Sequence, residues 1–196
     1  MSRVSLTQQV HHALLHHLNS DSIAIDATAG NGFDTHFLAS HIGSGGHLYA
    51  FDIQQLAIDT TRRRLKEASL NQHTTLLCAG HETMLEKIPA TTHGKVDIIL
   101  FNLGYLPRAD KSVITRKATT LQALNSALQL LSRGGYISIL AYPGHAGGRE
   151  ETEAVKHWAN NLPADYEVQI HTPENSNGTS PEWIEIQSAP AKRKKG

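Results

Sequence analysis

Only one of the 196 residues is a cysteine, Cys78. No intrachain disulfide can form, and a reducing compartment fits. No apolar run is long enough to cross a bilayer, and the opening "MSRVSLTQQVHHALLHHL" has no sustained apolar stretch of the secretory-leader kind. The expectation is a soluble cytoplasmic protein with no membrane contact. An excess of either charge is also missing, since 18 Lys and Arg balance 18 Asp and Glu. That excludes a global basic field announcing nucleic acid, yet leaves room for a local patch. Repeats and linkers are absent too, and 39% hydrophobic residues is an ordinary globular composition. We expect one domain over residues 1–190 and a basic tail over 191–196. The tail's cations, Lys192 to Lys195, read as a frayed, solvated end, with a supporting role on a polyanion as the alternative.

What is present is a regular alternation of short apolar runs with helical patterns. "LTQQVHHALLHHL" sets Leu6, Val10, Leu14 and Leu18 on one face of an N-terminal helix, about 5–19. Runs of β type follow at Ile23–Asp26, Leu48–Asp52, Thr74–Cys78, Val96–Asn102 and Tyr136–Ala141. Between them lie helical patterns at Phe33–His41, Gln55–Leu70, Glu82–Ile88 and Thr119–Leu131. Another spans Glu150–Leu162, where Glu150 and Glu151 suit a helix N-terminus. This order predicts an α/β fold whose mainly parallel sheet is covered on both faces. The last two strands, Tyr166–Thr172 and Trp183–Gln187, are joined only by the turn-rich "PENSNGTSP". They are expected as an antiparallel hairpin at one edge.

"DATAGNGFDT", Asp26 to Thr35, ends the first strand and opens a helix. Gly30 and Gly32 let the main chain turn sharply and approach a ligand. The third glycine of a dinucleotide fingerprint is missing, and so is the Gly-Lys-Ser/Thr of a phosphate-cradling loop. An acid at position 26 repels a pyrophosphate but suits a ligand with a positive amino group. Asp52 stands at the tip of the second strand, about twenty residues after the glycines, where a ribose-binding acid belongs. Singly, Asp26 reads equally as a cap and Asp52 as a strand end. Jointly they fit a nucleoside attached to a cationic amino acid, which describes S-adenosyl-L-methionine. Asn31 either hydrogen-bonds the methionine end or simply adopts a left-handed conformation. Asp34 binds the same end or caps the following helix, and the cap is the preferred reading.

In order, "DATAGNGFDT", "YAFDIQ", "AGHETM", "FNLGYLP" and "YPGHAGGREE" resemble a small bacterial family of class I methyltransferases. Its members were first described as rRNA methylases and include tRNA 5-aminomethyl-2-thiouridine methyltransferases. The resemblance runs from about Ser22 to Gln187. It implies the Rossmann-like class I methyltransferase fold, a seven-stranded mainly parallel sheet with an antiparallel C-terminal edge hairpin. It also implies S-adenosyl-L-methionine as cofactor, S-adenosyl-L-homocysteine as product, no metal, and the tRNA anticodon stem-loop as partner. The implied reaction is N-methylation of the 5-aminomethyl group of wobble (2-thio)uridine. By the same resemblance, Gln54 follows the ribose acid, while His81 and Glu82 flank the adenine or ribose. Locally, His81 also reads as a helix N-terminal residue and Glu82 as an acid complementing a helix dipole.

"NLGY", Asn102 to Tyr105, ends the fourth strand beside the expected methyl. Amino-directed DNA methyltransferases carry Asn/Asp-Pro-Pro-aromatic there, and this chain has Leu103 and Gly104 in place of the prolines. The departure argues against a flipped adenine or cytosine, while the Asn oxygen can still orient an amine. Candidate catalytic residues are Asn102, Tyr105 and His145. Tyr105 stacks on the uridine or packs at the strand end. Arg108 and Lys111, with Arg116 and Lys117, supply phosphate contacts or a solvated loop. The resemblance places Tyr142 and His145 on the substrate side, with His145 as general base or as a structural histidine. His11, His12, His16 and His17 read as a polar helix surface, since no cysteine or acid completes a metal site. A homodimer would widen the RNA surface of a neutral monomer. Two other readings stay open: methylation of another amine on rRNA or a small molecule, and a catalytically silent binding module.

Overall fold

The computed structural model describes residues 4–104, 114–172 and 178–190. Its strands are β1 (Ile23–Asp26), β2 (His47–Asp52), β3 (Thr74–Cys78), β4 (Val96–Leu103), β5 (Leu131–Ala141), β6 (Tyr166–His171) and β7 (Glu182–Ser188). They form one sheet in the order β3-β2-β1-β4-β5-β7-β6. From β3 to β5 the neighbours run parallel. β7 is antiparallel to both β5 and β6, so the edge hairpin is present. Because β1 lies between β2 and β4, successive crossovers leave it in opposite directions. A crevice opens at the carboxyl ends of β1 and β4, the place where doubly wound sheets hold ligands.

The helices are α1 (Leu6–Leu14), α2 (Phe33–Ala39), α3 (Gln55–Glu67), α4 (Met84–Lys87), α5 (Lys117–Leu130) and α6 (Gly148–Asn160). Strand alternation divides the core between two faces. Ile25, Phe51, Ile99, Phe101 and Ile139 meet Met84, Ala123, Leu124, Ala127 and Val155 from α4, α5 and α6. Ala24, Leu48, Ile98 and Leu100 meet Val10, Leu14, Leu38 and Leu65 from α1, α2 and α3. Central β4 is apolar nearly throughout because both of its faces are covered, whereas edge strand β6 alternates half-buried with exposed positions. Burying a side chain such as Phe101 contributes about 1.5–3 kcal/mol, so the tip of β4 rests on a firm base.

Three elements depart most from their sequence expectation, the others by at most three residues at an end. α1 begins at a capping box of Ser5 and Gln8 but stops at Leu14, not near residue 19. His16 and His17 then donate to the carbonyls of Ala13 and Leu14, tightening the chain into turns. The pattern at Glu82–Ile88 is a 3-10 turn, His81–Thr83, followed by the single-turn α4. Ile88 turns extended (ψ 133°) before Pro89, which disfavours a helical predecessor. β5 starts at Leu131 rather than Tyr136, because Leu131 pairs with Val96 across an irregularity in the β4 register. Among the described residues, no helix is long and apolar enough to cross a membrane.

Candidate active site

At the tip of β1, Asp26 has no solvent exposure. One carboxyl oxygen accepts the Thr28 N–H at 3.1 Å and the other the Thr35 hydroxyl at 2.6 Å. Burial, and after it the charge of Asp34, push this carboxyl up to about 7 against the pull of both hydrogen bonds. The turn that follows is tied to its neighbours, with Ala27 N–H donating to Leu100 and Ala29 N–H to Phe51. Gly30 and Gly32 have φ of 54° and 75°, the left-handed region where glycine costs least. A Cβ on Gly32 would stand 2.7 Å from Thr61 Oγ1 and 2.9 Å from Thr61 Cα, so α3 presses directly on the turn. Arg64 of α3 donates to the Asn31 carbonyl at 2.9 Å and lies over the Phe33 ring.

Asp52 closes the turn from β2. It accepts the Gly30 N–H at 2.9 Å on one oxygen and the Gln54 N–H at 2.8 Å on the other. Burial raises its pKa, opposed by those two hydrogen bonds and by His81. Its carbonyl accepts the Ala79 N–H, which joins the tips of β2 and β3. Next to it, Ile53 is 57% exposed, an apolar wall beside a carboxylate. His81 is buried with its ring edge toward Phe101, 5.9 Å between centroids. Burial lowers its pKa, countered by Glu82, Glu151, the Ala27 carbonyl and Asp52. Glu82 folds its carboxylate back over Gly80, where a Cβ would stand 2.3 Å from either oxygen.

Across the crevice, Asn102 donates its backbone N–H to the Thr28 hydroxyl at 2.7 Å. Its side-chain Nδ2 donates to Asp34 Oδ2 at 2.5 Å, while Asp34 Oδ1 lies 2.5 Å from His11 Nε2. The Tyr142 side chain lies near that of Thr7, and burial followed by the Asp34 charge raises its pKa. At Gly104 a Cβ would meet Tyr142 Cβ at 3.6 Å and His145 Nε2 at 3.7 Å, so the tip of β4 touches the loop after β5. His145 Nδ1 is 3.0 Å from the Ala146 carbonyl.

The family described as "Putative rRNA methylase" matches residues 48–187, most of this chain. The chain belongs to that methylase family. A crystal structure described as a putative rRNA-methylase from Clostridium thermocellum is 35% identical, with 96% of this chain and 100% of that one covered and a TM-score of 0.89. A Streptococcus mutans structure, described as a putative methyltransferase in complex with SAH, is 34% identical over 96% of this chain and 99% of that one, TM-score 0.82. The Arabidopsis thaliana protein named tRNA (mnm(5)s(2)U34)-methyltransferase, chloroplastic, is 42% identical over 147 residues. The match covers 71% of this chain and 53% of the relative, so the chain spans about half the length of that curated protein. The fold is therefore that of the class I methyltransferases, to which these neighbours belong.

In this chain, Asp34 does not cap α2, whose N-cap residue is Gly32 with no side-chain cap bond. The cap expectation yields to a tertiary one: Asp34 is drawn to Asn102 and His11 instead. The N-terminal histidines are not a uniform polar surface. His11 stacks on Phe37 at 3.9 Å and His17 on Tyr136 at 4.3 Å, whereas His12 and His16 are exposed. Glu151 lies in the first turn of α6 as expected, yet it is buried and accepts the hydroxyls of Thr115 at 2.7 Å and Thr120 at 2.5 Å. Tyr105, Arg108 and Lys111, together with Lys192 to Lys195, lie outside the described residues. Residues missed by sequence reasoning include Ile53, whose signal was an apolar residue directly after a strand-tip acid. Thr28 and Thr35, both near the glycines, went unnoticed although a buried acid needs donors.

Proposed function

We propose that the chain transfers the methyl group of S-adenosyl-L-methionine to the amine of 5-aminomethyl (2-thio)uridine at the wobble position of tRNA. The product is the 5-methylaminomethyl nucleoside, with S-adenosyl-L-homocysteine released. The observation that carries the reading is the Asn102 amide, whose nitrogen is committed to Asp34 across the crevice from the Asp52-bound glycine turn. That commitment leaves Oδ1 as the accepting end of the amide, which suits an N–H of an incoming amine.

The residues fit the cofactor. Each Asp52 oxygen holds one backbone N–H and keeps lone pairs for ribose hydroxyls. Exposed Ile53 offers apolar contact to a base. Buried Asp26 can ionise when an ammonium group settles on the turn, which offsets the burial that raises it. Once bound, the sulfonium supplies an electrophilic methyl. Asn102 holds the amine so that its lone pair faces that carbon. An aliphatic amine is ordinarily protonated below about pH 10, so the site must favour the neutral form, which desolvation does. Positioning the two reactants then supplies much of the acceleration. His145, across Gly104, is a candidate to receive the proton that the methylated amine sheds.

Support for a tRNA acceptor comes from the name of the Arabidopsis relative. The description of the family favours a second reading, an amine on rRNA. Labelled S-adenosyl-L-methionine, hypomodified total RNA and nucleoside analysis separate the two. Methylaminomethyl-thiouridine formed only with the protein supports the first. Label confined to rRNA supports the second and refutes the first.

A further inference from the structure

We infer that His11 and Asp34 are positioning residues for Asn102, which makes α1 part of the acceptor site. The inference rests on the reading of Asn102 as the group that receives the amine. An asparagine amide has two ends of nearly equal shape, one accepting and one donating. Turned the wrong way, Asn102 would point an N–H at the incoming amine and tie up the lone pair that must face the methyl. An ionised carboxylate only accepts, so Asp34 Oδ2 at 2.5 Å selects Nδ2 and turns the oxygen toward the acceptor. Asp34 cannot swing away easily, because its other oxygen is held by His11 Nε2 at 2.5 Å. The imidazole is fixed in turn by stacking on Phe37, with 3.9 Å between centroids and 6° between planes. The His11 and Asp34 side chains are 23% and 13% exposed, dry enough for these bonds to hold better than on open surface. Thr7, one turn earlier on the same helix, lies near Tyr142, so α1 borders the acceptor side.

Two other roles fit the same contacts: a staple that merely holds α1, and direct contact of Asp34 with the amine. Kinetics on full-length variants separate them. His11→Ala is expected to leave S-adenosyl-L-homocysteine affinity within about twofold and KM for tRNA within about threefold. Its kcat should fall at least about tenfold, as losing a hydrogen bond to a charged group implies. His11→Gln, which can place an amide N–H near Nε2, should recover most of kcat. In an Asn102→Ala background, His11→Ala should cost nothing further, because groups acting as one unit are not additive. Wild-type turnover in His11→Ala, or losses that multiply in the double variant, would overturn the inference. One readout needs no substrate: the Asn102 side-chain amide NMR signal, assigned by its loss in Asn102→Asp. It should shift in both His11→Ala and Asp34→Ala, and an unmoved signal in Asp34→Ala overturns the relay. If wild-type protein methylates no RNA, the acceptor reading fails while these signals still decide the relay.

Discussion

Replacing Asp26 by asparagine has an expectation with a definite sign. The buried carboxyl is pushed up to about 7, while an unfolded chain would hold it near 3.9. Between those values the folded chain keeps a proton that the unfolded chain gives up. The contribution is fully present below the unfolded value and is lost as pH rises through the folded one. At about 1.36 kcal/mol per unit, a gap of about three units sets a ceiling near 4 kcal/mol. Asparagine keeps the shape, accepts the Thr28 N–H through its oxygen and presents its nitrogen to the Thr35 hydroxyl. It cannot ionise. Asp26→Asn should therefore gain on wild type from about pH 4 to about pH 7 and level off above it, by up to about 4 kcal/mol. Urea unfolding followed by circular dichroism at several pH values measures the gap. Subtracting the two curves largely cancels the lowered His81, while Asp34 and Asp52, whose charges help raise Asp26, respond to its loss and keep the figure a ceiling. A difference that stays flat over this range refutes the argument. So does a gap that closes as pH rises.

The same proton has a signature in binding. An ammonium group held on the turn favours ionised Asp26, so uptake of S-adenosyl-L-homocysteine near pH 6 should release close to one proton from wild type. Calorimetry in two buffers of different ionisation enthalpy counts it. The asparagine variant should release none.

Asp52→Ala removes a carboxylate that holds Gly30 and Gln54, and S-adenosyl-L-homocysteine affinity should fall about 10- to 100-fold by calorimetry. Gly32→Ala forces a side chain into a φ of 75° and against Thr61, so thermal unfolding should show a loss of about 1–3 kcal/mol. Glu151→Ala strands the buried Thr120 hydroxyl and frees the half-buried Thr115, and a loss of about 2–4 kcal/mol is expected in urea unfolding. For a chain of zero net charge, the affinity for tRNA should fall only shallowly with salt, consistent with few phosphate contacts and measurable by filter binding.

How far the site was legible in the sequence depends on the range of each interaction. β1 carries the bounds read from its apolar run because a covered parallel strand is marked residue by residue, and half-buried edge strand β3 carries the expected bounds as well. The acids at the tips of β1 and β2 were legible for a similar reason: strand end, glycine turn and helix start are contiguous. Asp34 was misread because its role is set by Asn102, 68 residues on, and by His11, 23 residues back. Glu151 read as an ordinary first-turn acid because the threonines that bury it come from before and within α5. The histidines show where the reasoning stopped short. Leu6, Val10 and Leu14 mark a seam along α1, and His11 lies one residue past Val10, about 100° around the helix and on the flank of that seam. Thr7 and His11, four apart, share this flank, and both reach the acceptor side, at Tyr142 and Asp34. A polar pair at that spacing beside a buried seam borders whatever the seam packs against. Here the seam packs on the sheet face that also carries α2, so the flank meets the helix that follows the glycine turn.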